Sequence, residues 1–400
     1  MLTGNLMEAS SAIHRDEGRS GDVFFFQPFL PHYRIEPWRR LNEALDGKLV
    51  VIYGGPEPQN QYTEQNDFGF RVIRVPNYGF LDGTLTFQPF WQPFRWLGRP
   101  SVVVTSQNPR IVSLFPLFVY CRLRRIPIVL RGHGGSRRRP VTTSRAPADL
   151  VHRWFVRQAD AFICYTDQSR DELATITDPG KLFAASNTID MDKISFIRRS
   201  LEAESQLAVR RRLGLMDSDF YVSFIGLLTR SKRVDLLLEM TKRLQSDGHR
   251  IGLVIVGDGP ERARLESMAR YLGLGDTHFL GQMTDWAKSG EYLFASDVMV
   301  IPGYVGLAVN HSLGMGVPVV TSRQGTNGPF HSPEVAYLSH SITGYFADPF
   351  DVDSLGQCVL RAIKRREQFR RNVIDYAEAN LTLAPMIQGH VDAIRFARGW

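Results

Sequence analysis

The stretch that decides the fold reads, in three blocks, Phe224-Ile-Gly-Leu-Leu-Thr-Arg-Ser-Lys232, Leu253-Val-Ile-Val-Gly-Asp-Gly-Pro-Glu261 and Ile301-Pro-Gly-Tyr-Val-Gly-Leu-Ala-Val-Asn-His311, and closes on Gly316-Val-Pro318. The first two blocks are apolar runs of strand length that break at glycine and enter a polar helix start; the third breaks at Pro-Gly. Buried parallel strands that deliver glycines to helix starts direct backbone N–H groups and positive helix ends to one edge. This arrangement suits a phosphate, so this half of the chain is predicted to hold a nucleotide diphosphate.

Length and composition favour a two-domain α/β protein. The chain has 400 residues and is 43% hydrophobic, enough for two cored domains, and strand and helix signals are evenly mixed. The cysteines, Cys121, Cys164 and Cys358, are widely spaced and form no Cys-x-x-Cys pair, which favours a reducing compartment and gives no metal site. The first 21 residues lack the apolar core of a secretion signal and are predicted to form a flexible tail.

Positive charge is concentrated in the first half of the chain. Between Phe87 and Arg157 there are thirteen arginines, no lysine and one acid, Asp149, among many aromatic residues. This imbalance favours an anionic partner, namely acidic membrane headgroups, a lipid pyrophosphate or, less readily, nucleic acid. The alternative is a solvated basic face over ordinary core aromatics. We predict that the 87–157 segment contacts an anionic membrane surface rather than nucleic acid, and that Arg137, Arg138 and Arg139 face it.

The longest uncharged apolar run in a helical context, Ile111 to Cys121, has 11 residues with Pro116 inside it. It is too short to span a bilayer, which needs about 20 residues. Membrane attachment is therefore expected to be peripheral.

Short apolar runs alternate with longer amphipathic segments, which is typical of parallel strands joined by crossover helices. We predict two doubly wound, Rossmann-like domains that face a cleft. The predicted divisions are an N-terminal domain over 22–190, a linker over 191–204, a C-terminal domain over 205–375, and a helix over 376–400 that returns to the N-terminal domain.

Several ordered motifs carry a resemblance to a known family. They are Gly257-Asp-Gly-Pro-Glu261, Phe279-Leu-Gly281, Ala295-Ser-Asp-Val298 and Gly316-Val-Pro-Val-Val320, with Ile126-Pro-Ile-Val-Leu-Arg-Gly-His133 and Ser186-Asn-Thr-Ile-Asp190 in the first half. In these segments the chain resembles the family-4 glycosyltransferases, which are retaining, nucleotide-sugar-dependent enzymes of the GT-B fold. The resemblance covers most of residues 22–375.

The resemblance implies a cationic contact with the departing nucleoside diphosphate, on which negative charge grows as the glycosidic carbon is released. The family loop Gly-Arg-Leu-x-x-x-Lys reads here Gly226-Leu-Leu-Thr-Arg-Ser-Lys232. Lys232 matches the family lysine. Leu227 stands at the family arginine position, and Arg230 is predicted to substitute for it. The alternative is that Arg230 and Lys232 are exposed loop cations.

The chain departs from the family at its pair of glutamates, which are separated by seven intervening residues. Aligned on Gly316-Val-Pro318, the two positions are Gly303 and His311. Gly306 and Leu307 keep the turn and helix start that suit a phosphate. His311 is predicted to bind the ribose through a ring nitrogen, and the alternative is a core histidine bonded to a backbone carbonyl. Because both carboxylates are missing, the identity of the transferred sugar is not predicted, and an inactive homologue is the alternative.

The remaining predicted site residues come from the resemblance. Gly257 and Gly281 are predicted to frame the base through backbone groups, and Gly226 and Gly303 to border the donor. His133 is predicted to lie beside the donor sugar, with a structural loop histidine as the alternative. His32, Tyr33 and Arg34 are predicted acceptor contacts, with simple loop anchors as the alternative.

These assignments predict a metal-independent, retaining hexosyl- or related transferase of polysaccharide or glycoconjugate biosynthesis. It would transfer a sugar from a nucleotide diphosphate donor to a glycan, expected to be lipid-linked, without a cofactor. The expected location is cytoplasmic, peripherally attached to the inner face of the membrane. The alternatives are a non-catalytic nucleotide-sugar-binding homologue and a sugar-nucleotide epimerase of the same fold. A dinucleotide-dependent dehydrogenase is disfavoured because no Gly-x-Gly-x-x-Gly follows the first strand, Phe24-Phe-Phe-Gln-Pro28.

Overall fold

A computed structural model describes residues 21–55, 68–80, 85–134 and 142–399. Within these ranges the chain forms two parallel sheets, each with its own hydrophobic core and with helices packed against it. The predicted GT-B architecture of two doubly wound domains is confirmed. The tail and Arg137, Arg138 and Arg139 lie outside the described residues.

The N-terminal domain is built on a seven-stranded parallel sheet in the order β3-β2-β1-β6-β7-β8-β9. Its strands are β1 (Val23–Gln27), β2 (Leu49–Gly55), β3 (Arg71–Pro76), β6 (Val102–Ser106), β7 (Ile128–Gly132), β8 (Ala161–Cys164) and β9 (Leu182–Ala184). Outside this sheet, β4 (Tyr78–Phe80) pairs antiparallel with β5 (Leu85–Phe87). Strands β1, β7 and β8 are buried along their whole length, as expected where helices cover both faces of a parallel sheet.

The C-terminal domain is built on a six-stranded parallel sheet in the order β12-β11-β10-β13-β14-β15. Its strands are β10 (Phe220–Ile225), β11 (Ile251–Val256), β12 (Thr277–Gly281), β13 (Val298–Ile301), β14 (Val319–Ser322) and β15 (Gly344–Ala347). In each sheet the strand order reverses beside the first strand, between β1 and β6 and between β10 and β13. A reversal opens a crevice at the carboxyl ends of the strands, where ligands bind in such folds.

The helices cover the faces of both sheets. They are α1 (Ile35–Ala44), α2 (Trp91–Leu97), α3 (Leu114–Leu123), α4 (Pro147–Gln158), α5 (Asp167–Ala174), α6 (Met191–Glu202), α7 (Gln206–Leu213), α8 (Val234–Ser246), α9 (Arg262–Tyr271), α10 (Trp286–Ala295), α11 (Ala308–Gly314), α12 (Val352–Lys364), α13 (Arg366–Asn380) and α14 (Leu383–Ala397). Among the helices in the described ranges, none has both the length and the apolar composition to cross a bilayer.

The segment predicted as a linker, 191–204, is instead mostly helix. Helix α6 buries Met191, Ile194, Ile197 and Leu201 in the core of the C-terminal domain. Those apolar residues recur at intervals of three and four, the spacing that places them on one helical face. Asp192, Lys193 and Arg199 are exposed on the opposite face, so the segment is an amphipathic helix of the C-terminal domain rather than a linker.

The chain returns to the N-terminal domain at its end, but through the second of two helices. Helix α13 packs against α11 in the C-terminal domain and ends at Asn380, beyond the predicted boundary at residue 375. Helix α14 then packs its buried face against the N-terminal sheet, where Leu383, Met386 and Ile394 join the core. The predicted single helix over 376–400 is therefore two elements joined at residues 381–382.

Candidate active site

Glycines bring three loops of the C-terminal domain into backbone contact at the carboxyl edge of its sheet. The Gly257 N–H donates to the Gly281 carbonyl oxygen at 2.8 Å, and the Gly226 N–H donates to the Val256 carbonyl oxygen at 3.0 Å. A Cβ atom on Gly257 would lie 1.9 Å from the Gly226 carbonyl oxygen, so no other residue fits there. These glycines therefore shape the edge at which the base was predicted to bind, and the base contact itself remains a prediction.

Lys232 joins the loop after β10 to the loop after β13. Its Nζ donates to the Tyr304 carbonyl oxygen at 2.7 Å and lies 5.0 Å from the centroid of the Tyr304 ring. A Cβ atom on Gly306 would lie 3.5 Å from the same nitrogen. Burial lowers the pKa of Lys232 to about 8, and the Glu334 carboxylate acts in the opposite direction. Lys232 thus presents a partly desolvated ammonium group at the strand-order reversal, where an anion gains most from it.

Gly303 explains why one family glutamate is missing. Its N–H donates to the Lys232 carbonyl oxygen at 2.9 Å, and the Tyr304 N–H donates to the Ser231 carbonyl oxygen at 2.7 Å. A Cβ atom at residue 303 would lie 2.1 Å from that Ser231 oxygen. The two loops are bonded too closely for any side chain at this position.

Arg230 shares a 3-10 turn with Lys232 but has a different environment. Its side chain is 90% exposed, and its Nε lies 3.3 Å from the Glu261 carboxylate. An exposed ion pair of this kind binds weakly and can be exchanged for a ligand. Arg230 therefore lies near Lys232, but its charge is already paired with the Glu261 carboxylate.

Helix α11 begins at Ala308, with Leu307 at its N-cap and no side-chain cap. His311 is buried one turn further on. Its ring packs 5.5 Å from that of Trp286, burial lowers its pKa to about 4, and its Nε2 is buried without a hydrogen-bond partner among the described residues. A neutral imidazole with an unused nitrogen suits a hydroxyl ligand. The ribose contact remains a prediction.

His133 follows β7 and faces the C-terminal domain. A cavity of about 560 Å³, here called the interdomain cavity, is lined by His133 together with Arg230, Ser231, Tyr304, His331 and Phe350. The His133 ring lies 5.1 Å from that of Tyr165. The structure therefore brings His133 of the N-terminal domain and the Lys232 neighbours Arg230 and Ser231 of the C-terminal domain to the same cavity, whereas Lys232 itself is not among the lining residues.

A second cavity of about 580 Å³, here called the N-terminal cavity, lies at the reversal of the N-terminal sheet. Its walls come from the segments that follow β1, β6 and β7, and they include Tyr33, Arg34, Arg131 and His133. His32 is not in these walls. Its ring lies 6.4 Å from that of Trp286 in the C-terminal domain, and burial lowers its pKa. The predicted acceptor trio thus divides, with Tyr33 and Arg34 at the cavity and His32 at the domain interface.

A chain of hydrogen bonds connects the two domains between these cavities. Arg34 Nη2 donates to Asn187 Oδ1, and Asn187 Nδ2 donates to a carboxylate oxygen of Glu334. Asn310 Nδ2 donates to the Asn187 carbonyl oxygen at 3.1 Å. Asn187 therefore holds a buried arginine of one domain and a buried carboxylate of the other, which fixes how the cavities face each other.

Sequence reasoning missed three residues at this site, Arg131, Asn187 and Glu334. Arg131 had a visible signal, because it is a charged residue inside an otherwise apolar strand, Ile128–Gly132. Asn187 lies in the Ser186–Asp190 turn but received no role. Glu334 lies 147 residues from Asn187, so only the folded structure reveals their contact.

Two family models match the chain, one in each domain. The model described as "Glycosyl transferase 4-like domain" matches residues 38–183. The model described as "Glycosyl transferases group 1" matches residues 205–380, which include the Lys232 and Gly303 loops. Together they span both walls of the interdomain cavity.

Curated relatives match over parts of their length. The chain is 26% identical over 237 residues to D-inositol 3-phosphate glycosyltransferase 2 of Catenulispora acidiphila, covering 56% of this chain and 53% of the relative. It is 23% identical over 293 residues to alpha-monoglucosyldiacylglycerol synthase of Streptococcus pneumoniae, covering 68% and 64%. A GDP-mannose-dependent alpha-(1-6)-phosphatidylinositol dimannoside mannosyltransferase of Mycobacterium tuberculosis is 28% identical over 179 residues, covering 44% of each chain. The chain thus spans between 44% and 64% of the length of these relatives.

Solved structures match the whole fold. The Anabaena protein HepE in complex with UDP superposes with a TM-score of 0.67 at 15% identity, covering 92% of this chain and 97% of HepE. A glycosyltransferase from Rickettsia africae superposes with a TM-score of 0.69 at 12% identity, covering 95% and 99%. At these identities the likeness establishes the fold alone.

Proposed function

The chain belongs to the GT4-like group of GT-B glycosyltransferases, and we propose that it transfers a sugar from a nucleotide diphosphate donor to a lipid-linked glycan with retention of anomeric configuration. The observation that carries the proposal is the position of Lys232. Its ammonium group joins the two loops at the strand-order reversal of the C-terminal sheet, and residues of those two loops, Ser231 and Tyr304, line the interdomain cavity together with His133.

In the proposed reaction the bond between the anomeric carbon and the β-phosphate oxygen breaks, and a bond from that carbon to an acceptor hydroxyl oxygen forms on the same face. The leaving phosphate oxygen takes the hydroxyl proton, so no carboxylate base is required. Lys232 stabilises the negative charge that develops on the phosphate. With this cation in place the reaction is proposed to need neither metal ion nor cofactor.

The proposed substrates are based on the relatives and on the ligands of similar structures. UDP and UDP-glucose are bound in the HepE structures, and the Mycobacterium relative is GDP-mannose-dependent. We therefore place UDP- and GDP-sugars first among the donors to test. Two relatives are a phosphatidylinositol dimannoside mannosyltransferase and an alpha-monoglucosyldiacylglycerol synthase, which supports a lipid-linked acceptor here.

A surface of the N-terminal domain supports peripheral attachment to an anionic membrane. Helices α3 and α4 pack together, with the rings of Phe115 and Trp154 6.1 Å apart. Phe115, Leu123, Leu150 and Trp154 are exposed, and Arg122, Arg124 and Arg153 belong to the same helices or their ends. Exposed apolar and aromatic side chains beside arginines are the features of a surface that inserts shallowly among acidic headgroups. The proposed site is the inner face of the cytoplasmic membrane.

The test is release of nucleoside diphosphate from a panel of UDP- and GDP-sugars, with and without vesicles that contain phosphatidylinositol and diacylglycerol. The proposal predicts release that is accelerated by an acceptor vesicle, together with a glycosylated lipid. Conversion of donor without release would identify an epimerase. Binding of a donor with neither conversion nor release would identify a non-catalytic homologue, to which the absence of a carboxylate at Gly303 also points.

A further inference from the structure

Arg131 is a buried cation with unused hydrogen-bonding capacity. It occupies the fourth position of β7 and is 7% exposed. Its guanidinium carbon lies 4.9 Å from the centroid of the Phe25 ring and 5.1 Å from that of the Trp38 ring, and its Nε donates to the Tyr165 hydroxyl at 3.1 Å. Its Nη1 is buried and has no hydrogen-bond partner within the described part of the chain.

Arg34 brings a second buried cation to the same cavity wall. Its Nη1 donates to the Thr188 carbonyl oxygen at 3.3 Å, and its Nη2 donates to Asn187. Burial is the main cause that lowers the pKa of Arg34, and the nearby charge of Arg131 acts in the same direction. Within the described ranges, neither arginine forms a salt bridge with a carboxylate.

The Glu334 carboxylate, linked to Arg34 through Asn187, acts to raise the pKa of Arg34, but it does not line the cavity. The described cavity wall around Arg131 has little negative charge. A third arginine, Arg110, lines the N-terminal cavity, and Asp149 is the one acid among its described lining residues. The Asp149 carboxylate accepts a hydrogen bond from the Ser144 hydroxyl. A buried charge without a partner is unfavourable for folding, and a cavity of about 580 Å³ beside it has room for the missing partner.

We propose that Arg131, with Arg34 beside it, binds an oxyanion carried by the acceptor, namely a phosphate or pyrophosphate ester. A guanidinium group with an unused N–H edge matches the geometry of phosphate oxygens and remains charged when buried. The role in transfer rests on the proposed function, whereas the anion site rests on the cavity alone. His133 lines both cavities, so an acceptor held at its phosphate by Arg131 extends toward the donor.

The test is calorimetric titration of inorganic pyrophosphate into the full-length chain. Pyrophosphate also fits the proposed donor site, so wild type is expected to bind it at two sites. Lys232→Ala should lose the donor site, and Arg131→Met should bind pyrophosphate at least tenfold more weakly at the N-terminal cavity. Arg243→Gln is the matched control, because Arg243 is an exposed arginine in the other domain. Equal pyrophosphate binding by Arg131→Met and wild type would overturn the inference.

Stability separates a binding role from a structural one. Arg131→Met keeps an unbranched stem between Phe25 and Trp38 and removes an uncompensated charge, so its thermal midpoint without ligand is expected not to fall. Pyrophosphate should raise the midpoint of Lys232→Ala but not that of Lys232→Ala/Arg131→Met. If the Arg131→Met proteins do not fold, Arg131→Lys is used in their place. This variant is expected to bind pyrophosphate at least threefold more weakly than wild type, and unchanged binding would count against the inference.

Two further ligands distinguish the source of the phosphate. Glucose 1-phosphate represents a soluble sugar phosphate, and vesicles containing phosphatidic acid represent a lipid phosphate. The inference predicts that at least one binds wild type and loses at least tenfold affinity in Arg131→Met, while nucleoside diphosphate affinity stays unchanged. If the substitution changes the binding of neither ligand, the site does not bind phosphate esters. Because nucleoside diphosphate binding is measured separately, failure of the donor proposal is distinguishable from failure of this one.

Discussion

The ammonium nitrogen of Lys232 lies 2.7 Å from the carbonyl oxygen of Tyr304, so the turn after β10 is tied to the turn after β13. The same turns are joined by two backbone hydrogen bonds, in which Gly303 and Tyr304 donate. The cation is thereby positioned before any ligand arrives. Preorganised charge of this kind stabilises a transition state without the cost of reorganising at the moment of reaction.

The low pKa of Lys232 predicts an alkaline limit on donor binding. Burial lowers that pKa from 10.5 to about 8, and the diphosphate favours the protonated lysine, so affinity should fall as pH rises through the pKa of the free protein. We expect nucleoside diphosphate affinity to weaken roughly tenfold between pH 7 and pH 9, because Lys232 of the free protein loses its proton over this range. Calorimetry measures it, and Lys232→Arg, which stays charged, should be nearly flat over this range. A flat wild-type profile would place the lysine away from the phosphate.

Gly303 is predicted to reject the family glutamate. A Cβ atom there would lie 2.1 Å from the Ser231 carbonyl oxygen, so the hydrogen-bonded turns must separate to admit it. We expect Gly303→Ala and Gly303→Glu to lose about 1–3 kcal/mol of unfolding free energy, the usual cost of overpacking, and to bind nucleoside diphosphates more weakly. Thermal unfolding and calorimetry measure the two effects.

Gly275→Ala is the matched control for Gly303, because a Cβ atom at residue 275 meets no atom within 4 Å. It should match wild type in both measurements. A Gly303→Glu protein as stable as wild type and more active would show that the turns can part and that the lost carboxylate was useful.

His311 is predicted to bind the ribose as a neutral imidazole. Its Nε2 is buried without a partner in the described structure, and its pKa of about 4 keeps it uncharged at neutral pH. His311→Ala should weaken nucleoside diphosphate and intact donor by the same factor, because both contain the ribose. Inorganic pyrophosphate, which has no ribose, should be unaffected. Unchanged diphosphate affinity would place His311 in the core or at the sugar.

The exposed face of α3 and α4 is predicted to mediate membrane attachment. Phe115, Leu123 and Trp154 are 56%, 79% and 42% exposed, and their joint replacement by serine should leave the protein in solution when wild type sediments with anionic vesicles. Tyr271→Ser, at an 89% exposed position in the other domain, is the control. Equal sedimentation of the triple variant and wild type would reject this surface.

The arginine cluster tests the electrostatic part of the same attachment. Each of Arg137, Arg138 and Arg139 is expected to contribute about 1 kcal/mol near an acidic surface, so replacing all three by serine should reduce partition roughly a hundredfold. Attachment should also weaken as added salt shortens the Debye length. Sedimentation with neutral vesicles, to which little binding is expected, separates the electrostatic attraction from the insertion of apolar side chains into the membrane.

The glycine-bounded strands made most of the fold predictable. Runs such as Leu253–Val256 and Met299–Ile301 are apolar on both faces because helices cover both sides of the sheet, and glycine or Pro-Gly marks the end of each. Strand β15 has little sequence signal of its own, because Gly344–Ala347 is a four-residue edge strand with few residues to reveal a period. Its place was fixed by pairing with β14 rather than by its own sequence.

The site was predictable only where one short segment carries it. Lys232 and its loop could be predicted because the spacing from Gly226 is local. The contact of Asn187 with Glu334 depends on how the two domains pack against each other. Arg131 and Arg34 line one cavity only because separate segments of the N-terminal domain pack together. The sequence also could not reveal that Gly303 faces the Ser231 backbone, which is the physical reason for the missing glutamate.

The central claim is that Lys232 binds the diphosphate of a nucleotide-sugar donor, and the most direct measurement compares Lys232→Ala with Arg230→Ala in donor turnover. The account predicts that Lys232→Ala lowers kcat/KM by roughly 100-fold or more, on the order of 3 kcal/mol for one preorganised charge. Arg230→Ala should cost less, because that side chain is 90% exposed and already pairs with Glu261. A Lys232→Ala protein with near-normal turnover, and a thermal midpoint equal to wild type, would contradict the assignment.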